Sequence, residues 1–410
     1  MKKTAVILSA LVAILLVVVI VMTVGLVAVY KGDYTFKKTI VFEGFGNSDS
    51  GGSTGNSTGD TQPKSLSEAL TRARNYNASL APDLEIQFEL PINGSMGFTS
   101  TTVSVYGKDN LKGSKTASLA AGQAFIIKEE IDGKVWFVRT EDGTEGYISN
   151  KNCFINLPDI IPSIVYNITN STSSIFLSSR RELPGVTGEK LFNFYMQNDR
   201  YNKKEFVAPV MYTMAKKIYA AQCAALQDGN TLVIYETFRP YETQKQVAAA
   251  LQELCNSDST VKKNVNKSPW SLSWFIATSL STHQKGCAID VSLASVNKVS
   301  LNDCGRFKFV EITGFTEYEM QTEMHELSVD AVSLEKPVSG NSKTAWKNVE
   351  SNELMTEGSL LLKDYCTDTG MSPLASEWWH FNDLEAVDEL GRNFRLDYDF
   401  EISLSAPVEY

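Results

Sequence analysis

The chain has 410 residues, 43% apolar and 21% charged, with a formal net charge of −10. That length exceeds one ordinary core and predicts two or three units, while the ordinary apolar and charged fractions exclude a disordered or fibrous chain. The acidic balance argues against nucleic acid as a partner, which requires a basic face.

Residues 4–30 carry no charge in 27 positions. A helix of that length measures about 40 Å against a hydrocarbon core of about 30 Å, so it can span a bilayer with tilt. The apolar core of a cleaved signal peptide is shorter, roughly 7–15 residues, and the stretch therefore reads as an uncleaved anchor. Lys2 and Lys3 favour a cytoplasmic tip over residues 1–3, with the bulk of the chain outside the cell. Lys31, Lys37 and Lys38 weaken that bias, although a large domain translocates largely regardless of charge.

Residues 46–63, GNSDSGGSTGNSTGDTQP, read as a flexible spacer. A short helix is expected over SLSEALTRARNY, capped by Ser65 or Ser67. From 100 to 156 short β-type runs (TTVSVYG, QAFIIKEE, KVWFVRT, EGYISN) alternate with turn signals. Asp-Gly at 132–133 and 142–143 predicts consecutive hairpins. Five short strands in this span point to a small barrel. The run Leu119…Gly122, Ala124-Phe-Ile-Ile, Trp136-Phe-Val, Asp142-Gly143 and Gly146-Tyr147-Ile148 resembles a bacterial SH3-like domain. That resemblance implies a module for cell-wall peptides, with a spacer that binds nothing as the alternative.

Beyond residue 160 helical and strand patterns alternate. The expected helices are one opened by Pro209 and running to Leu226 with Gly229 beyond it, one from Pro240 to Leu254, and one near 359–371 stopped by Gly370. TLVIYET, 231–237, is a strand between the first two, and a last strand is expected in the tail ending at 410. Six cysteines stand at 153, 223, 255, 287, 304 and 366 with no Cys-x-x-Cys pair, so zinc knuckles and redox motifs have no support. Disulfides (15 pairings) and buried thiols both remain open. The Asn-x-Ser/Thr sequons at Asn56, Asn77, Asn93, Asn167 and Asn170 matter only in a eukaryotic secretory pathway.

The chain contains three histidines. His283 precedes the β-type run CAIDVSL, whose Asp290 interrupts apolar residues. A carboxylate in a core strand is paired or metal-bound, because its unpaired burial costs several kcal/mol. Ser281, Thr282 and Gly286 supply a turn that folds His283 toward that strand. His380 lies in ASEWWHFND beside Glu377. Two His and one carboxylate around zinc leave a position for water. A carboxylate beside two indoles has a raised pKa and suits a general base. Arg239 follows a strand and precedes Pro240, where a guanidinium reaches a loop-borne site and stabilises a developing oxyanion. His325, in QTEMHELSVD, has no supporting context and reads as an ordinary surface or core histidine.

Arg239, then Ser281-x-His283-x-x-Gly286-x-Ala288-x-Asp290, then Glu377-x-x-His380, in that order, resemble the zinc D-alanyl-D-alanine peptidases, which include VanX-type dipeptidases and VanY-type carboxypeptidases. The resemblance spans roughly 160–385, with IVYNITNSTSSIF and VTGEKLF at its start and the residues after about 390 outside it. It implies one Zn²⁺ on His283, Asp290 and His380, Glu377 as catalytic base and then acid, Arg239 polarising the scissile carbonyl, and Ser281, Trp378 and Gln244 contacting substrate. The family usually reads Asp-Gly-Tyr-Arg where this chain has Glu236-Thr237-Phe238-Arg239, so substrate detail differs. Cys287 reads as core.

The expected fold is α+β. It comprises a zinc D,D-peptidase fold over 158–410 with antiparallel sheet and flanking helices, an all-β SH3-like barrel over 99–157, a spacer with a short helix over 31–98 and a transmembrane helix over 4–30. The expected activity is a membrane-anchored, extracellular D,D-carboxypeptidase acting on peptidoglycan stem peptides. A D-Ala-D-Ala dipeptidase, an endopeptidase and a non-catalytic wall-binding protein are the alternatives.

Overall fold

The structure, a computed structural model, describes residues 62–390 and 405–407. The apolar stretch 4–30, nearly all of the 46–63 spacer and most of the expected C-terminal strand lie outside the described residues. Among the described residues no helix is long and apolar enough to cross a membrane, and residues 405–407 are not in a strand.

Helix α1 (Leu66–Leu80) is capped by Ser65, whose Oγ accepts the Glu68 N–H at 3.2 Å. It lays Ala69 and Ala73 on Val299 and Val310. One short turn, α2 (Leu84–Gln87), follows. Then come β1 (Met96–Thr99), β2 (Val103–Tyr106), β3 (Lys115–Leu119), β4 (Ala124–Ile131), β5 (Val135–Arg139), β6 (Glu145–Ser149) and β7 (Cys153–Asn156). Both Asp-Gly hairpins form. Asp132 and Gly133 each take positive φ, 50° and 73°, at the centre of the turn that the Lys134 N–H closes onto the Ile131 carbonyl. Strand β3 escaped the sequence reading because Leu119 is its one fully buried residue, so no alternation marks it.

Downstream lie β8 (Val165–Tyr166), the hairpins β9–β10 (Leu177–Ser178, Arg181–Glu182) and β11–β12 (Tyr195–Asn198, Lys203–Phe206), and β13 (Pro209–Met211). The first large sheet has the order β13-β7-β1-β4-β5-β6-β2-β3. It therefore extends past residues 99–157 on both sides, and the described residues form one compact unit. Pro209 does not open a helix. It pairs with Asn156 in β13, and α3 (Tyr212–Gln227) starts three residues later. The sequence misled here because Pro fits an edge strand as well as a first helical turn. Gly229 follows α3 at φ 77°, as its stop.

The second large sheet carries the chemistry. Its strands are β14 (Asn230–Glu236), β15 (Ala288–Cys304), β16 (Phe307–Glu317), β17 (Ser372–Leu374) and β18 (Glu377–Asn382), with helices α4 (Tyr241–Ser257), α5 (Ser259–Val265), α6 (Glu357–Asp368) and α7 (Leu384–Leu390) between or after them. The order is β17-β18-β15-β14-β8, with β16 paired to the far end of β15. All pairs are antiparallel except β14–β8. Every residue of β14 and β18 is buried, so even their polar residues are enclosed by the sheet's neighbours. The six cysteines are free thiols, five of them buried.

Candidate metal centre and active site

Register places the first three groups. Asp290 stands directly opposite His380 on β18 and opposite Glu236 on β14. Cross-strand partners share one face of a sheet at about 4.5–5.5 Å between Cβ atoms, so Glu236, Asp290 and His380 form a row across three strands. His283 arrives from outside the sheet, on the single 3-10 turn His283–Lys285.

That turn depends on Gly286. Its φ is +62°, and a Cβ there would lie 2.6 Å from a carbon of the Phe154 ring. The Gly286 carbonyl accepts the Met211 N–H at 2.8 Å. Strands β7 and β13 of the first sheet thus buttress the turn that carries His283. Gly286→Ala is expected to destabilise the metal-free protein by about 2–5 kcal/mol, the sum of a left-handed backbone penalty and overpacking. Denaturant unfolding checks this, and an unchanged midpoint would refute it.

The ligand atoms converge. His283 Nε2 lies 3.1 Å from His380 Nδ1 and 3.3 Å from Asp290 Oδ1, and His380 Nδ1 lies 3.0 Å from the same oxygen. The tautomers follow from the opposite ring atoms. His283 Nδ1–H donates to the Thr237 carbonyl at 2.6 Å, and His380 Nε2–H donates to Asn382 Oδ1 at 3.0 Å. With those protons in place, two imidazole lone pairs and a carboxylate oxygen face one point with no hydrogen between them. Such an arrangement repels itself unless a cation sits among the three. Tetrahedral bonds of 2.0–2.1 Å separate ligand atoms by about 3.3–3.4 Å. The three observed separations nearly match that spacing, so these residues fit a zinc ion. The outer contacts on the two rings are those that orient metal-binding histidines elsewhere.

Electrostatics agree in direction. Burial alone would raise the Asp290 carboxyl, yet the surrounding histidines hold it well below the usual carboxylate range. Burial lowers the His283 imidazole toward its neutral form. Burial also disfavours the His380 cation, but bonds to Asp290 outweigh it and move that ring upward. A bound ion would need both rings neutral at the facing nitrogens and the carboxylate ionised.

Glu377 Oε2 stands 3.8 Å from His380 Nδ1. Burial pushes its carboxyl up to about 8. At 9% exposure it is the most open of the four residues, against 5% for His380 and 1% each for His283 and Asp290. Trp378 and Trp379 pack edge to face at 5.3 Å, both buried. The Trp378 indole N–H donates to Thr322 Oγ1 at 2.9 Å.

Arg239 is buried beneath this centre. Its Nη2 donates to Asp290 Oδ2 at 3.1 Å, its Nε to Glu236 Oε2 at 2.6 Å and its Nη1 to Gln244 Oε1 at 2.6 Å. Gln244 in turn donates to the Ala277 carbonyl, so both ends of its amide are held within the protein. Ser281 Oγ accepts the His283 N–H at 3.1 Å and shapes the turn. A second acidic grouping, Glu236 with Asp290 and His325, is already occupied by the Arg239 guanidinium, which pairs with both carboxylates.

Three partners were not singled out from the sequence. His325 is fully buried, with Nε2 3.1 Å from Asp290 Oδ2; its surface alternative is overturned, and its place beside the metal site comes from a loop no local pattern predicts. Glu236 was noted only as a departure from a motif, yet it is the counter-ion of Arg239 and is itself held by Asn170 Nδ2 at 2.6 Å. Asn382 orients His380. Its signal was present: it lies two residues after His380, on the same face of a strand.

The model of the D-Ala-D-Ala dipeptidase family matches residues 193–398, half of the chain. The chain belongs to that family. The match begins after the IVYNITNSTSSIF and VTGEKLF segments and continues past 390, so its span differs at both ends from the 160–385 read from motifs. It encloses Arg239, His283, Asp290, His325, Glu377 and His380. No curated protein matches the chain. Membership makes this a peptidase of the zinc-dependent, cell-wall-directed kind.

Proposed function

We propose that the protein is a zinc D,D-carboxypeptidase that removes the terminal D-Ala from peptidoglycan stem peptides. The observation that carries this reading is the meeting of three lone pairs from His283, Asp290 and His380, with the Glu377 carboxylate 3.8 Å from one of them. When bound, zinc supplies Lewis acidity and a water acidified to a pKa near 7. Glu377 takes a proton from the attacking water and returns it to the leaving amine. Arg239 fixes Asp290 and adds positive charge beside the reacting carbonyl. The Trp378–Trp379 pair keeps the floor dry, and Ser281 and Gln244 hold the His283 turn and Arg239 in place for substrate.

The dipeptidase description of the matching family supports a second reading, hydrolysis of free D-Ala-D-Ala. The charge-free run 4–30 supports the first, because a tethered enzyme outside the cell meets wall peptides rather than the cytoplasmic dipeptide. On this reading 4–30 anchors the chain, and the SH3-like strands of 99–157 contact wall peptides. Purified protein offered a pentapeptide ending in D-Ala-D-Ala and, separately, the free dipeptide decides. Release of D-Ala from the pentapeptide at the higher kcat/KM is expected. Preference for the dipeptide would replace the carboxypeptidase reading, and hydrolysis of neither would leave a wall-binding protein.

A further inference from the structure

All three histidines of the chain surround one carboxylate, Asp290. Two of them share its Oδ1. The third, His325, meets Oδ2 from a loop outside the strands that carry the other groups. We infer that His325 is a positioning residue, whose Nε2–H fixes the rotation of Asp290 so that Oδ1 alone is presented to the metal.

The backbone of His325 is held in a conformation that an ordinary core residue avoids. Its φ is +63°, the left-handed region, which costs a non-glycine residue about 1–2 kcal/mol. Bonds on both sides impose it: the His325 carbonyl accepts the Leu177 N–H at 3.1 Å, and the Leu327 N–H donates to the Leu177 carbonyl at 2.7 Å. Glu326 further ties the loop by accepting the Arg180 N–H at 3.0 Å. The ring itself is stacked on Phe176 at 4.3 Å and 13°, with Trp379 edge-on at 5.9 Å. Backbone and ring are thus both locked, and the single hydrogen bond that the locked ring makes is to Asp290.

The other ring nitrogen identifies the proton. Nδ1 is buried and has no hydrogen-bond partner among the described residues. Nε2 faces a carboxylate oxygen and must carry the hydrogen. Nδ1 is then a buried polar atom that makes no bond of its own. A histidine kept for packing alone would be better replaced by an apolar ring, which buries no idle polar atom. Its retention in this tight setting is explained by the donor at Nε2. Arg239 also reaches Oδ2, but its guanidinium is shared with Glu236 and Gln244, so it cannot set the carboxylate angle independently. With one oxygen held by Arg239 and His325 together, Asp290 cannot turn both oxygens toward the ion.

This inference rests on the zinc reading, and the test separates the two. Zinc affinity is measured by chelator competition on the purified chain and on His325→Phe and His325→Gln. Phe keeps the stacked ring and removes the donor; Gln carries an N–H at nearly the same reach. The Phe variant is expected to bind zinc about 10–100-fold more weakly than the parent, and the Gln variant at least tenfold more tightly than the Phe variant. Metal-free melting temperatures should rank differently, with Phe at or above Gln, since Phe preserves the packing. A Phe-to-Gln affinity ratio below tenfold overturns the positioning role and leaves His325 as a packing residue. Leu takes the place of Phe if the latter does not fold. Failure of the parent itself to hold one zinc would overturn the metal reading instead, whatever the variants do.

Discussion

Glu377→Gln is expected to lower turnover of a D-Ala-D-Ala-terminated peptide by roughly 10²–10⁴-fold, the usual contribution of a positioned general base, while one zinc per chain is retained. The substitution keeps the shape of the side chain and removes its ability to accept a proton. None of the three converging ligand atoms belongs to Glu377, and its nearest approach to them is 3.8 Å. Its neighbours Trp378 and Trp379 are packed independently of its charge. Metal content by elemental analysis and product release by mass spectrometry form the paired measurement. Full turnover in a zinc-loaded variant would remove Glu377 from the chemistry. Loss of zinc along with activity would make it a ligand.

The second large effect belongs to Asp290→Ala. Here zinc binding and activity should disappear together, with an affinity loss well beyond the roughly 100-fold ceiling of outer contacts. Asp290 is the one residue touched by His283, His380, His325 and Arg239 at once. Its removal takes away a ligand and the charge that balances the centre. Stability should fall less than the number of lost contacts implies, by about 1–3 kcal/mol in the metal-free protein. Arg239 keeps Glu236 as its counter-ion, and the crowding of lone pairs is relieved. Denaturant unfolding with chelator present measures this. A drop of twice that size would mean that the trio stabilises the fold without an ion.

The strand hairpins were legible because Asp-Gly at 132–133 favours a tight turn, and there both residues take positive φ. Strand β3 and the true role of Pro209 were not, since Leu119 gives no alternation and proline serves edge strands and helix starts alike. The convergence of the candidate trio His283, Asp290 and His380 was legible from residue type, order and a resemblance. Its support was less so. Glu236 looked like a broken motif until β14 was seen to set it opposite Asp290. Gln244 looked available to substrate until both ends of its amide were found engaged within the protein.

His325 marks the boundary most clearly. From the sequence alone came the candidate ligands, the candidate base, a turn at His283 and the family. These are local properties, written in side-chain chemistry and spacing over a few residues. Only the tertiary structure decided which groups meet. Antiparallel register set Glu236, Asp290 and His380 in one row, and Phe154 and Met211 of the other large sheet supported the His283 turn. A loop 35 residues beyond Asp290 brought the third histidine to its second oxygen. Such contacts arise from how strands pair and cores close, and a linear spacing carries no term for either.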